Sequence, residues 1–460
     1  MICRCLTKKN SLNRCSGKDK RRQVLMSKKT VNVISLGCSK NLIDAERLMR
    51  MLDNVGCEPL FEQSAESRPD IVIINTCGFI GDAKEESINT ILEWVEAKRE
   101  GYVQEIFVMG CLSQRYRAEL PKEIEEVDKW FGKTDWPDIV KEITLKNPSG
   151  EKYDRIVTTP PHHAYLKIAE GCNRFCAFCA IPLITGRFRS RPIEEIAGEV
   201  KMLVSRGVKE FNVIAQELTG YGIDLYGKRR IADLVEAIAE TEGVRWIRLH
   251  YAYPADFPLE LLDVMARHKN VCRYLDIALQ HISDNVLSNM RRHITGKETR
   301  ALLKTIREKV PGIHIRTTLM VGFPGEGDKE FDELIDFVKE QKFERLGAFS
   351  YCEEEDTSAA RNFRDEIPSE VKQKRLDKLM AVQEEISLEI QEAKIGKIFR
   401  VIVDREDDEF YYGRTEFDSP EVDPEVLITK DIPLTPGQFY DVEITGAYPF
   451  ELTGRVATNS

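Results

Sequence analysis

The sequence predicts an α/β protein in three folded parts: a parallel α/β domain over residues 30–145, a partial barrel of six β/α units with a linking helix over 158–395, and a small β-barrel over 396–460. Three observations predict it. Apolar β-branched runs alternate with helix-compatible stretches from residue 30 to about residue 350, the pattern of parallel strands joined by crossover helices. A long amphipathic stretch follows. After Gly396 the pattern changes to short strands punctuated by turn residues.

In the first part, VNVISLG, DIVIINT and EIFVMG read as buried strands, with IDAERLMRMLDNVG as a helix that follows one of them. The second part supplies six strands, AYLKIAE, EFNVIAQ, VRWIRLHY, RYLDIALQ, IHIRTTLMVG and ERLGAFSY, separated by helices such as IEEIAGEVKMLVSRG and DKEFDELIDFVKEQ. Six such units make an open or partial barrel. The stretch SEVKQKRLDKLMAVQEEISLEIQEA places Val371, Leu376, Leu379, Met380, Ile386 and Ile390 close to one helix face, with its Lys and Arg cluster as the solvated side. The closing strands KIFRVIVDR, EFYYGRT, EVLITK, QFYDVEITGA and FELTGRVA fit a five-stranded barrel.

At 460 residues, with 42% hydrophobic and 31% charged residues, the chain is a multi-domain globular protein. It has no apolar run long enough to span a membrane and no apolar secretory leader, so the expectation is a soluble, cytoplasmic protein without a membrane partner. Residues 1–29 form a basic tail. Residues 1–30 contain ten Lys or Arg and a single acid, Asp19, a local charge of +9 in a chain of net charge -10. A basic arm is one way to hold nucleic acid, but a short polar tail with no apolar periodicity reads more simply as disordered. Met26 followed by SKKTVNVISLG also has the form of an alternative start.

Twelve cysteines are unusual for a chain in a reducing compartment, where disulfides do not persist, and some are expected to hold metal. The segment EGCNRFCAFCAIP packs Cys172, Cys176 and Cys179 into one loop directly after a predicted strand. Three thiolates can hold three irons of a cubane and leave the fourth iron open to a substrate. The competing reading is a zinc knot that borrows His162, His163 or Cys272, although zinc sites usually pair their cysteines as two CxxC units.

This loop resembles that of the radical S-adenosylmethionine (SAM) superfamily, whose CxxxCxxC hallmark has an aromatic residue just before the last cysteine, the place of Phe178. The resemblance implies that the open iron chelates the amino and carboxylate groups of SAM, which is then cleaved reductively to a 5'-deoxyadenosyl radical. It also implies that Phe178 lies near the adenine, that Gln216 and Gln280 face the cofactor from strand ends, and that VGFPGE, with Gly322, passes near it. Gly322 and Gly325 are equally readable as turn glycines, and Gln280 as a satisfied polar group in a barrel.

A second set is dispersed. Cys38, Cys77 and Cys111 are 39 and 34 residues apart, about one strand-helix unit each time, and each sits just past an apolar strand with a glycine beside it, in SLGCSKN, INTCGFI and VMGCLSQ. In a parallel sheet such positions gather at the carboxyl edge, where three soft ligands suit a second cluster. Cysteine is also commonly buried as a small hydrophobe, the reading given to Cys57, Cys272 and Cys352.

The triad followed by the radical loop resembles the methylthiotransferase family, built from an N-terminal cluster domain, a radical SAM barrel and a C-terminal TRAM β-barrel. The resemblance covers nearly everything from about residue 30. SLGCSKNLIDAE, INTCGFI, GCLSQRY and CNRFCAFCAIP are similar to its RimO branch, which modifies the β-carbon of an aspartate in ribosomal protein S-twelve; the tRNA-modifying MiaB branch usually shows a GC-x-x-N-x-x-D variant. YCEEEDTSAA departs from the related pattern, which leaves local substrate contacts there open. The resemblance implies two 4Fe-4S clusters, one on each cysteine set. It also implies that one SAM methylates a sulfur held at the second cluster, while the radical from another opens the aspartate β-carbon to the methylthio group. An electron donor and a sulfur source are implied as partners, and the sequence names neither.

Charge bears on protein against RNA as substrate. Residues 396–460 hold six Lys or Arg against fourteen Asp or Glu, a local charge of -8. A barrel that grips tRNA is expected to be basic, so no stable nucleic-acid binding is expected, and the acidic loops REDDEF and FDSPEVDPE suit a basic ribosomal protein. Acidic loops also simply aid solubility. Three readings stay open: a protein-directed methylthiotransferase, a tRNA-directed one, and a non-enzymatic metal scaffold.

Overall fold

The computed structural model describes residues 28–150 and 153–457, so the expected basic tail lies outside the described residues except for Lys28 and Lys29. The first sheet has five strands in the order Glu58–Phe61, Thr30–Ser35, Ile71–Thr76, Glu105–Gly110, Lys129–Trp130. All four pairings are parallel. Every residue of Ile71–Thr76 is buried, because helices cover both faces and a central parallel strand has no wet side. The two edge strands were not expected. One contains Pro59 and the other is two residues long, so neither shows a readable period.

The second sheet has six parallel strands in chain order: His163–Lys167, Glu210–Ile214, Trp246–Ala252, Val271–Gln280, His314–Val321 and Arg345–Ser350. It is an open half-barrel, as the sequence predicts. Leu166, Val213, Leu249, Ile277, Leu319 and the covering helices share one large apolar core. The five C-terminal strands, Ile398–Glu406, Phe410–Thr415, Glu425–Thr429, Phe439–Tyr448 and Glu451–Val456, close into a barrel around Val401, Val426, Ile428, Val442 and Ile444.

Two expectations about charge are corrected. On the helix Ser369–Glu392 the buried stripe includes Lys372 and Arg375, whereas the sequence reading set the basic cluster in solvent. Lys372 donates to Asp365 at 2.5 Å, and Arg375 donates to Glu326 at 2.8 Å and to Asp328 at 2.9 Å. Likewise the FDSPEVDPE loop is not a free acidic surface. It plugs the amino-terminal floor of the half-barrel, where Asp418 accepts from Arg345 at 2.5 Å, Asp423 from Tyr274 at 2.7 Å, and Glu421 from Tyr165 at 3.0 Å.

The joint between the first sheet and the half-barrel is also ionic. The helix Ser39–Asn54 buries Lys40, Asp44, Glu46 and Arg47, since one of its faces lies against the first half-barrel strand rather than water. Arg155 is fully buried between Glu46 and Glu199, the latter at 2.9 Å.

Candidate metal and cofactor site

Cys38 caps the helix Ser39–Asn54, Cys77 follows Ile71–Thr76 directly, and Cys111 follows Glu105–Gly110 and opens the short helix Cys111–Arg115. Parallel strands bring these three ends to one edge, where Cys77 feels the charge of Cys38, and Cys111 that of both Cys38 and Cys77. The neighbouring glycines are a steric demand. A Cβ on Gly37, which sits at φ +89°, would lie 2.7 Å from the Cβ of Cys77, and one on Gly78 would lie 2.7 Å from the backbone of Leu112.

Burial pushes the Cys77 thiol up and the Cys111 thiol up to about 12, against the opposing pull of the Lys133 ammonium on Cys111. Such thiols lose their protons readily only when a metal cation binds the sulfur and displaces them. Lys133 is itself buried, donating to Asp44 at 3.1 Å and to Glu170 at 2.9 Å, and Lys167 donates to the same two acids. This four-residue ionic cluster runs from the Cys111 environment to the residue two before Cys172.

In the loop itself the Arg174 amide points at Cys172 Sγ, 3.4 Å away, and Arg292 donates to Cys176 Sγ at 3.2 Å. Burial raises the Cys172 thiol to about 11 and the Cys179 thiol well above its ordinary range, with the charges of the neighbouring cysteines adding to it. Arg174 and Arg292 both lie 4.2 Å from the ring centroid of Tyr253. Arg174 is already paired with Glu217 at 3.2 Å, which leaves the Arg292 guanidinium, bonded to Cys176 Sγ, to balance an anionic group held by the loop.

The two glutamines named from the sequence both carry a buried, unpartnered Oε1. Gln216 donates its amide to Glu170, and Gln280 ends its strand at φ +71° beside a register shift. Strained backbone and orphaned acceptors at strand ends are what a ligand-binding mouth shows. Phe178 is half-buried, edge-on to Phe323 with centroids 6.3 Å apart. Gly322 meets the long helix, since a Cβ there would lie 2.4 Å from Lys372 Cγ, and its amide donates to Glu326 at 2.9 Å.

The donors that a zinc knot would borrow lie at the other end of the sheet. His162 pairs with Asp404 of the C-terminal barrel at 2.7 Å, His163 opens its strand, and Cys272 is packed with Trp246, Tyr274 and Ile402. Among the described residues no three His, Cys, Asp or Glu side chains are spaced for a single metal ion. A cubane, with one thiolate per iron, spaces its ligands more widely than one ion does, so sets of three soft donors fit it. Of the cysteines expected to be buried, Cys57 and Cys272 are buried and Cys352 is exposed.

The two sets are neighbours, because Cys111 packs against Ala180 and Ile184, just past Cys179. Sequence reasoning missed Lys133, Tyr253 and Arg292. Each reaches its cysteine from a remote element, and the only local hint is a Gly-Lys pair after a two-residue strand.

Residues 30–132 match the uncharacterized protein family UPF0004, residues 166–338 the radical SAM superfamily, and residues 395–457 the TRAM domain. The chain is 57% identical over 428 residues to the ribosomal protein uS12 methylthiotransferase RimO of Phocaeicola vulgatus, covering 93% of this chain and 99% of that one. This chain belongs to the RimO family. The RimO of Bacteroides fragilis is 56% identical over 432 residues, covering 94% of this chain and all of its own, and that of Christiangramia forsetii 49% identical over 430 residues, covering 93% and 94%. Outside the RimO family, the radical SAM methyltransferase TsrM from Kitasatospora setae shares the fold at a TM-score of 0.53 and 15% identity, covering 70% of this chain and 72% of its own.

Proposed function

We propose that this chain is a radical SAM methylthiotransferase that places a methylthio group on the β-carbon of an aspartate in ribosomal protein uS12. One observation carries the reading: two sets of three cysteines stand at the carboxyl edges of two adjacent parallel sheets and meet where Cys111 packs on Ala180 and Ile184. Cys172, Cys176 and Cys179 would hold one 4Fe-4S cluster and Cys38, Cys77 and Cys111 a second, with SAM beside Phe178, Gln216, Gln280 and the Gly322 turn. When bound, these groups supply reductive cleavage of SAM at one centre and a sulfur at the other.

The chain's own residues do the rest. Three thiolates per set leave one coordination position without a protein ligand. Arg292 balances negative charge at the loop, and the orphaned Gln216 and Gln280 carbonyls offer acceptors to a cofactor's donors. The ionic cluster around Glu170 and Lys133 fills the space between the two sets with charged, paired side chains.

The tRNA-directed alternative has less support, since the similar relatives named above are all uS12 enzymes. The charge argument is narrower than the sequence alone implied, because Asp418, Glu421 and Asp423 are committed to the floor. What remains for a basic partner is the exposed REDDEF loop. An electron donor and a sulfur donor complete the set of partners, in the cytoplasm where ribosomes are built. The test is mass spectrometry of uS12 incubated with and without the enzyme. Exchange of one hydrogen for a methylthio group is expected, and the same change on tRNA with none on uS12 would promote the alternative.

A further inference from the structure

One short segment bonds to residues that stand beside both cysteine sets. Residues 351–363 leave the last half-barrel strand, and they contain the YCEEED stretch that fits no established pattern of contacts. Glu354 is buried, and one of its carboxylate oxygens accepts from Lys84 at 2.9 Å and from Arg115 at 2.9 Å. Arg115 closes the helix opened by Cys111. It also donates to the carbonyl of Gly78, the residue after Cys77, at 3.0 Å and to the carbonyl of Glu355 at 2.8 Å. Tyr116 donates to the Glu355 carboxylate.

The other end of the segment holds the radical loop. Thr357 donates to the carbonyl of Glu354 at 2.7 Å and caps the turn Ser358–Asn362. Inside that turn the Ala359 amide donates to the carbonyl of Ala177, between Cys176 and Cys179, at 2.7 Å. Ala177 and Ala359 are fully buried together with Phe323 and Tyr351, so this end does not slide. Four residues therefore separate a charge clamp on Arg115, beside Cys77 and Cys111, from a backbone bond on Ala177, between Cys176 and Cys179.

We infer that Glu354, acting through Arg115, is a positioning residue that fixes the separation of the two cysteine sets and so the distance from the substrate radical to the incoming sulfur. The inference rests on the function proposed above. Radical generation needs only the loop of Cys172, Cys176 and Cys179, whereas group transfer needs both sets in register, and small misplacements of reacting groups are costly. The second oxygen of Glu354 is buried without a partner, a cost in buried polarity that simple packing does not require.

The test uses the full-length enzyme reconstituted with iron and sulfide, as wild type, Glu354→Ala, Glu354→Gln and Arg115→Lys. Iron content and SAM cleavage without uS12 are expected to stay within about twofold of wild type, while methylthiolated uS12 per 5'-deoxyadenosine falls by about tenfold or more in Glu354→Ala and by less in Glu354→Gln. The magnetic interaction between the two reduced clusters, read by electron paramagnetic resonance, should weaken in the same order. In the metal-free chain, amides of residues 111–116 should exchange faster while those of 172–179 do not. An unchanged product ratio with an unchanged magnetic interaction would overturn the inference. Loss of iron from the Cys38 set alone would also overturn it, assigning Glu354 to assembly instead. If wild type left uS12 unmodified, the proposed function would fall, and the resonance and exchange measurements would still decide the clamp.

Discussion

Arg414 of the C-terminal barrel donates through its two terminal nitrogens to the two carboxylate oxygens of Glu210, the first residue of a half-barrel strand, at 3.0 and 2.8 Å. Both side chains are fully buried or nearly so, and the same arginine holds Asp404 at 2.6 Å. Removing one member of such a pair leaves an uncompensated charge in the interior, at a typical cost of about 3–5 kcal/mol. Arg414→Ala is therefore expected to lower the unfolding free energy measured in urea by several kcal/mol, while Arg400→Ala, at an exposed pair, changes it by less than about 1 kcal/mol. Equal effects of the two would contradict the sealing role of this contact.

The same floor makes stability depend on pH. Burial, joined by the Arg414 charge, holds the His163 imidazole down at about 4. Burial pushes the Glu210 carboxyl up, but the Arg414 and Arg248 guanidiniums outweigh it and hold the group at about 2. In both cases the unfolded chain takes the proton at a higher pH than the folded one. The His163 contribution is thus lost as pH falls from 6.5 towards 4, and the Glu210 contribution from 4.5 towards 2. Each group adds a slope of up to about 1.4 kcal/mol per pH unit inside its window. Between pH 7 and 4 the unfolding free energy of wild type should fall more steeply than that of His163→Gln, so that the difference, wild type minus variant, decreases as pH falls.

Gly37 offers a test of backbone approach at the dispersed set. Alanine there would meet Cys77 Cβ at 2.7 Å and Sγ at 2.9 Å and would hold φ +89°, a region alanine enters only with strain. Gly37→Ala should cost about 1–2 kcal/mol in stability and displace Cys77, so that iron bound after reconstitution falls. Gly56→Ala is the control for strain alone, since it shares a positive φ and has nothing within 4 Å.

Substituting either cysteine set should separate two activities. Replacing Cys172, Cys176 or Cys179 by Ala is expected to abolish 5'-deoxyadenosine formation and to reduce iron by about half, because each thiolate is one of three anchors. Replacing Cys38, Cys77 and Cys111 should leave cleavage of SAM measurable and end methylthio transfer. Loss of both activities in a folded variant that keeps the radical cluster would refute this division.

Partner choice is testable at the REDDEF loop. Asp407 accepts from the amides of Glu409 and Phe410 and from the Tyr412 hydroxyl, so it shapes the turn and is a poor place for charge reversal. Asp408→Lys with Glu409→Lys changes charge without that loss. Association with uS12 should slow by severalfold at low salt, and the difference should fade once the Debye length drops below about 8 Å. An association rate that ignores both substitution and salt would remove the loop from substrate docking.

The fold was legible wherever β-branched runs were long. All six half-barrel strands and all five C-terminal strands stand where their apolar runs place them, and the three cysteines of the dispersed set stand past strand ends, where the coincidence with glycines put them. Ion-paired faces were not legible. The charged side of Ser39–Asn54 and of Ser369–Glu392 has the same periodicity whether it meets water or an oppositely charged domain, and sequence pattern alone cannot separate the two cases. Glu354 was not singled out for the same reason: within EEED it looks like one acid among several, and only its buried contact with Arg115 sets it apart.

The joints described above also limit how freely the three parts can be exchanged with those of relatives. Arg155, Glu210, Arg345 and Arg414 are buried charges whose partners belong to other parts of the chain, so a borrowed C-terminal barrel or cluster domain would fit only if it brought the matching partners with it. A hybrid enzyme assembled by swapping whole domains would leave these groups stranded at its seams, whereas one that carried across Glu46, Arg414 and Asp418 along with the graft would keep its seams dry and neutral.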